Sequence, residues 1–315
     1  MRHSRIQSKS SFGNRSKSKQ TPPSSFSGLE LADGRLIKFP AVMGVLNVTP
    51  DSFSDGGEYL EADRAVAHAL AMEAAGADII DVGGESSRPI GAVEVPVEVE
   101  LARVRPVLER LGQRLKVPIS IDTRRAEVAR VALELGAAII NDITALEHDP
   151  QMAPLAARTK CAVVLMHMRG GPANHIKFAH YGDVVREVVD YLDARARFAL
   201  AAGVSRTRII LDPGLGFAKN AQHNLKLLAA LPDLGALGYP VLVGVSRKTF
   251  VARLSVGTAA GAGERELEFG TAAANAIAIA AGASIVRVHD VGAGVAVVRM
   301  AAAIAGRDQR FRHHA

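Results

Sequence analysis

Eight short apolar runs recur along the chain, and each stops on a polar or charged residue. They are Ala41 to Asn47, Ala77 to Asp81, Val117 to Asp122, Ala137 to Asn141, Cys161 to His167, Arg208 to Asp212, Val241 to Ser246 and Ser284 to His289. Runs this short and this rich in Val, Ile and Leu read as strands buried on both faces. The stretches between them change to helical spacing: Val66, Ala69 and Leu70; Leu101, Val104, Leu108, Leu111 and Leu115; Val128, Val131, Ala132 and Leu135; Val184, Val185, Val188, Val189 and Leu192. Gly76, Gly136, Gly203 and Gly282 each sit between a helical stretch and the next run, where a left-handed helix cap is wanted. Strand and helix in alternation predict an eight-stranded α/β barrel, with reactive side chains gathered at the end where the strands stop.

Size and composition agree. The chain has 315 residues, of which 48% are hydrophobic and only 4% aromatic, with no tryptophan. A barrel of about 250 residues fits within it and leaves a tail. Residues 1–28 form that tail, and 29–315 the barrel. The tail carries Arg2, Arg5, Lys9, Arg15, Lys17 and Lys19 and no acid, so these six residues account for the whole formal charge of +6. Its Ser, Lys and Arg content predicts disorder. A nucleic-acid arm or a transit peptide would share that composition; a solvated extension is the simpler reading, and no nucleic-acid partner is expected. No run reaches the roughly 18 to 20 apolar residues of a membrane span, so no membrane partner is expected and a cytoplasmic location is. The single cysteine, Cys161, opens an apolar run and reads as a buried structural thiol.

Two loops stand out. NVTPDSFSDGG, from Asn47 to Gly57, and GGESSRPIG, from Gly83 to Gly91, are polar and glycine-rich but have neither P-loop nor dinucleotide-binding spacing. They read as lids over the barrel mouth. Within the mouth, Asp122, Asn141 and Asp212 each end a strand. Asp122 or Asp142 alone could be only a helix cap, but Asp212 precedes Pro213 and Gly214, which favour a turn. Three acceptors from three strands match a planar heterocycle with several N–H donors. Opposite charge comes from the last two strand ends, Ser246-Arg247-Lys248 and Arg287-Val288-His289-Asp290, where barrels commonly hold phosphate. His167 receives no role, and no HExxH or paired-cysteine pattern supports zinc.

Taken together, the segments MGVLNVTPDSFSDGG, GADIIDVGGESSRPIG, ISIDTR, IINDI, LDPGLGFAKN, VGVSRK and IVRVHDV, in this order over residues 40 to 305, resemble the dihydropteroate synthase family of pterin-binding barrels. The resemblance implies an α/β chain with a TIM (β/α)8 barrel. It also implies a Mg2+-dependent transferase of folate biosynthesis and the target of sulfonamides. Its substrates would be 6-hydroxymethyl-7,8-dihydropterin diphosphate and 4-aminobenzoate, its products 7,8-dihydropteroate and pyrophosphate. Asn47 would hold Mg2+. Asp122, Asn141, Asp212 and Lys248 would bind the pterin, while Arg287, His289 and Ser87 would meet the diphosphate, and Arg88 is expected among the substrate-binding residues. Phe53, Pro89, Phe217 and Ser246 would neighbour the aminobenzoate. Asp55, in the first loop, is assigned to stabilising the developing cation or orienting the amine. Asn47, Asp55, Lys248 and Arg287 are thus the expected catalytic set, and the family suggests a homodimer through the barrel's outer helices. Ser87 stands where Thr is common, Ile90 where a small residue is usual, and Gly171 departs from the usual small-polar or proline-containing form. Other chemistries stay open on the residues alone: a methyltetrahydrofolate-binding methyltransferase, a Schiff-base role for Lys248, or a pterin-binding module without turnover.

Overall fold

The computed structural model describes residues 26–49, 58–85, 94–171, 174–256 and 263–307. Two short strands come first, β1 (Gly28–Glu30) and β2 (Leu36–Lys38), paired antiparallel with Gly28 opposite Lys38. Then follow β3 (Ala41–Asn47), α1 (Glu58–Ala74), β4 (Ile79–Gly83), α2 (Val97–Leu111), β5 (Ile119–Asp122), α3 (Ala126–Glu134), β6 (Ala137–Asp142), α4 (Met152–Thr159) and β7 (Ala162–Met166). The second half comprises α5 (Val184–Ala201), β8 (Ile209–Asp212), α6 (Ala221–Ala229), α7 (Leu231–Gly235), β9 (Leu242–Val243), α8 (Thr249–Val256), α9 (Glu264–Ala280), β10 (Ile285–Val288) and α10 (Val291–Ile304).

Strands β3 to β10 form one parallel sheet in which sequence neighbours are also spatial neighbours, and β10 pairs with β3. Between β8 and β9 the join is a single bridge, Leu211 to Val241, supported by Leu211 N–H donating to Pro240 O at 2.9 Å. This is the closed TIM (β/α)8 barrel that the eight apolar runs predict. Gly76, Gly136, Gly203 and Gly282 have φ of +98°, +100°, +96° and +111°, so each helix does end on the left-handed residue its glycine allows.

Strand alternation divides the core in two. Val42, Ile80, Ile121, Ile140, Val163 and Leu211 face outward and pack against helix residues such as Val66, Leu108, Val128 and Leu192. Met43, Ile79, Ile139, Val164, Ile210, Leu242 and Ile285 face inward and pack with Leu29, Leu31, Ile37 and Phe39 from the β1–β2 hairpin. The hairpin therefore plugs the end of the barrel where the strands begin. Phe26 packs against the same cluster, so residues 26–28, which composition groups with the tail, join this plug. Residues 1–25 lie outside the described set. Cys161 is buried, and burial lifts its thiol to about 11, as befits a packing residue.

Candidate active site

The inward set does not stay apolar along the strands. Two residues beyond Ile79 stands Asp81, two beyond Ile139 stands Asn141, two beyond Ile210 stands Asp212, and two beyond Ile285 stands Arg287. Period two places them all in the barrel's lumen at the end opposite the hairpin. Asp122, at the end of β5, is level with Asn141 on one side and with Gly83 on the other, and Asn47 is level with Gly83.

Arg287 ties this layer together. Its Nε donates to Asp81 Oδ2 at 2.7 Å and its Nη2 to Asp122 Oδ2 at 2.8 Å, while Asn141 Nδ2 donates to the same Asp81 oxygen at 3.0 Å. Two of the five guanidinium N–H groups are thereby committed to holding carboxylates. Asp81 is fully buried, and its Oδ1 has no hydrogen-bond partner among the described residues. Burial is the dominant influence on Asp122 and pushes it up to about 7, against the opposing pull of Arg287. Asp142, by contrast, points outward. It accepts from Thr144 N, Thr144 Oγ1 and Leu146 N, and so is a turn cap.

A second group is built on the loop after β8. Asp212 Oδ1 accepts from Gly214 N–H at 2.7 Å, and burial raises this carboxyl to about 6 despite that bond. The loop winds through Gly214, Gly216 and Ala218, all at positive φ, and a Cβ on Gly214 would lie 2.0 Å from His167 O. Lys219 clamps the winding. Its buried ammonium donates to Gly214 O (3.0 Å), Phe217 O (2.9 Å) and His167 O (3.3 Å) and meets His167 Nδ1 at 2.9 Å. Burial lowers Lys219 to about 7 and His167 to about 2, so the imidazole is neutral and its Nδ1 is the acceptor. Asn224 and His175 accept from the loop's Gly216 and Ala218 N–H groups at 2.8 and 2.9 Å. So fixed, Phe217 packs with Ile143, Met166 and Met168, and Lys248 Nζ sits 4.1 Å from its ring centroid. Lys248 follows Arg247, which is also left-handed at φ +58°.

At the tops of β9 and β10, Ser246 Oγ lies 3.0 Å from His289 Nδ1 and accepts from His289 N–H at 3.2 Å. The next residue, Asp290, caps α10 by accepting from Ala293 N–H. The charges of Lys248, Lys219 and Arg287 all act on Asp212, which joins the groups electrostatically.

The structure thus brings Asp122, Asn141 and Arg287 into one hydrogen-bonded network and links Asp212, Phe217 and Lys248 in a neighbouring group by charge and a cation–ring contact, with His289 beside Ser246. Asn47 stands at the same strand end and, among the described residues, is bonded into neither. Asp55, Ser87, Arg88, Phe53 and Pro89 lie outside the described residues. Sequence reading passed over Asp81, Lys219 and His175. Alternation from Ile79 points to Asp81, but nothing local marks the other two. It also missed a buried ionic knot at the foot of the second loop. Arg125 Nη1 contacts Glu85 at 2.7 Å and the fully buried Glu100, and Arg124 Nη2 contacts Glu94 at 2.8 Å.

A closed barrel with buried acids and an amide in its mouth, ringed by cations, defines a class of site suited to a nitrogen-rich ring bearing an anionic group. Residues 43–289 match the family described as pterin binding enzyme. The chain is 50% identical over 264 residues to dihydropteroate synthase of Mycobacterium leprae, covering 83% of this chain and 92% of that one. The Xanthomonas albilineans dihydropteroate synthase solved with 4-aminobenzoic acid superposes with a TM-score of 0.81 at 44% identity, over 89% of this chain and 98% of that one. A Yersinia pestis dihydropteroate synthase in a sulfonamide complex gives a TM-score of 0.81 at 41% identity, over 89% and 99%. The chain belongs to the pterin-binding enzymes and, within them, to the dihydropteroate synthase family.

Proposed function

We propose that this chain joins 6-hydroxymethyl-7,8-dihydropterin diphosphate to 4-aminobenzoate, giving 7,8-dihydropteroate and pyrophosphate. The observation that carries the reading is the lumen itself, where buried carboxylates and an amide are gathered round Arg287, in a chain so similar to dihydropteroate synthases. Asp122, Asn141 and Asp212 accept from or donate to the ring's polar edge in a site where an unmatched partner is costly. Lys248 and Phe217 form the wall against which the ring and the incoming arene pack. His289 and the N–H groups of Arg287 that have no partner among the described residues are assigned to the leaving diphosphate, with Ser87 placed there from the family resemblance and Arg88 among the substrate-binding residues.

Bond breaking at the pterin methylene leaves positive charge there, which the electron-rich ring spreads. The cationic rim stabilises the departing anion, so the transition state is loose. An aromatic amine is already unprotonated near neutral pH, so its attack needs no strong base. Water is the rival nucleophile, and we assign its exclusion to the two polar loops and stabilisation of the cation to Asp55.

Mg2+ fits this site as a substrate-borne ion. Among the described residues no three His, Cys, Asp or Glu side chains converge to hold a metal. Asn47 supplies a hard amide oxygen, the kind of single protein ligand Mg2+ takes when phosphates provide the others. Bound there, it would neutralise charge on the diphosphate.

We further propose a homodimer. Leu254, Phe269, Ile277, Met300 and Ile304 are large, apolar and exposed, and all lie on α8, α9 and α10. Among the described residues no helix is long and apolar enough to cross a membrane, which suits a cytoplasmic enzyme. Pyrophosphate release that needs 4-aminobenzoate and Mg2+ tests the reaction, and inhibition of that release by a sulfonamide tests the proposal that this chain is a sulfonamide target.

A further inference from the structure

Lys219 is buried, yet its four hydrogen-bonding contacts are all to uncharged atoms: Gly214 O, Phe217 O, His167 O and His167 Nδ1. A buried ammonium held this way is costly, because dipoles replace its water without supplying a counter-ion. The chain also bears strain at this point. Ala218, the residue before it, sits at φ +49°, a left-handed conformation that a residue with a Cβ rarely adopts. Neutral groups are enough to brace a loop, as Asn224 Oδ1 does by accepting from Gly216 N–H at 2.8 Å. A buried charge calls for a role beyond bracing.

Its contacts indicate that role. Gly214 is gripped at both ends: its N–H donates to Asp212 Oδ1 at 2.7 Å, while its carbonyl accepts from Lys219 Nζ at 3.0 Å and from Phe217 N–H at 3.1 Å. Phe217 O accepts from the same Nζ at 2.9 Å. On the other side, His167 N–H donates to Asp212 O at 3.0 Å, and His167 O and Nδ1 both meet Lys219. One side chain therefore ties the end of β7 to the residues on which the pterin and the aminobenzoate are placed. Its charge reaches the same carboxyl: Asp212 favours the ammonium form of Lys219, and Lys219 favours the carboxylate form of Asp212. Arg169 and Lys248 also act on Lys219, and Lys248 and Arg287 on Asp212. His175 and His223 feel the Lys219 charge and are held toward their neutral forms, chiefly by burial.

We propose that Lys219 is a positioning residue for both substrates: it draws the Gly214 and Phe217 carbonyls toward His167, which sets Asp212 and Phe217 in register, and its buried charge keeps Asp212 facing the heterocycle as a carboxylate. The inference rests on the pterin reading of the site and adds to it a side chain that acts through these two residues.

Three variants separate charge, geometry and simple bracing. Lys219→Met fills the space without a charge. Lys219→Arg keeps the charge on a planar fork that does not converge on the same carbonyls. Asn224→Ala loosens the loop at Gly216 and leaves the charge in place. Calorimetric titration with 6-hydroxymethylpterin between about pH 5 and about pH 8 gives the affinity and the pH at which it is half-developed. The KM for 4-aminobenzoate and the melting temperature are followed alongside. Lys219→Met should bind the pterin roughly 10-fold more weakly at neutral pH. Its binding midpoint should move to higher pH by about one unit, since Asp212 loses a neighbouring cation, and its aminobenzoate KM should rise. Lys219→Arg should keep the wild-type midpoint but raise the aminobenzoate KM, and Asn224→Ala should leave the midpoint in place. Wild-type pterin affinity and aminobenzoate KM in folded Lys219→Met would overturn the inference. So would a midpoint displaced as far in Asn224→Ala as in Lys219→Met, which would mark the lysine as a loop brace only. If Lys219→Met does not fold, Lys219→Arg decides: a raised aminobenzoate KM at the wild-type midpoint supports the inference, and a wild-type KM overturns it. If wild type bound no pterin at any pH, the pterin reading itself would fall, and this inference with it.

Discussion

Asp122, Asn141 and Asp212 could be read from the chain because each ends an apolar run, and period-two geometry then decides which way it points. The same rule separates Asp122 from Asp142, which the sequence left equivalent: one faces the lumen and the other caps a turn. Asp81 and Arg287 are 206 positions apart, so their contact could not be read locally. That contact alters what a substitution should do. Arg287→Ala should slow turnover and also weaken binding of a pterin without diphosphate, because Asp81 and Asp122 lose their shared cation; calorimetry with 6-hydroxymethylpterin checks the second effect. Asp212→Ala should cost about 1.5–3 kcal/mol of pterin binding, the range for hydrogen bonds to charged groups. Acidity gives a further expectation. In the folded chain Asp122 is raised to about 7 and Asp212 to about 6, from 3.8. Their stabilising contribution is therefore present below the unfolded value and lost as pH rises through the folded ones. A ring that donates N–H groups binds the carboxylate forms, so binding should release protons and tighten as pH increases from about 5 to about 8. Titration in buffers of different ionisation enthalpy measures the release, and Asp212→Asn should reduce it.

Among the elements, the eight barrel strands announce themselves because each is apolar on both faces and four of the helices before a strand close on a left-handed glycine, while α4 closes on Lys160. The β1–β2 hairpin does not, since strands of three residues carry too little pattern. Nor does the clamp on the β8–α6 loop, because His167 and Lys219 are brought together from two different strand ends. That loop depends on a glycine. Gly214 has φ +64°, and any Cβ would strike the His167 carbonyl. Gly214→Ala should therefore lower the melting temperature and displace Asp212, weakening pterin binding more than a loop substitution elsewhere. Arg125→Ala should act on stability, because it strands Glu100, which has no exposed surface, beside Glu85. Loss of one partner from a buried pair costs about 3–5 kcal/mol. Urea unfolding at pH 7 measures it, and a loss below about 1 kcal/mol would mean the knot is solvated like a surface pair.

The barrel is plugged at one end by a hairpin and carries its acids, amide and cations at the other, and this asymmetry turns eight ordinary strand ends into a site. Its outer wall is asymmetric too, with large exposed apolar side chains gathered on α8, α9 and α10. Sedimentation should show two copies of the chain associated through these helices, and Met300→Glu with Phe269→Glu should dissociate them while leaving the pterin pocket intact. The central claim, that lumen acids hold a pterin while rim cations release its diphosphate to an aromatic amine, is tested most directly by one assay. Purified protein, given the pterin diphosphate and Mg2+, should release pyrophosphate in step with dihydropteroate only when 4-aminobenzoate is added. Release at the same rate without 4-aminobenzoate, or none with it, would contradict the account.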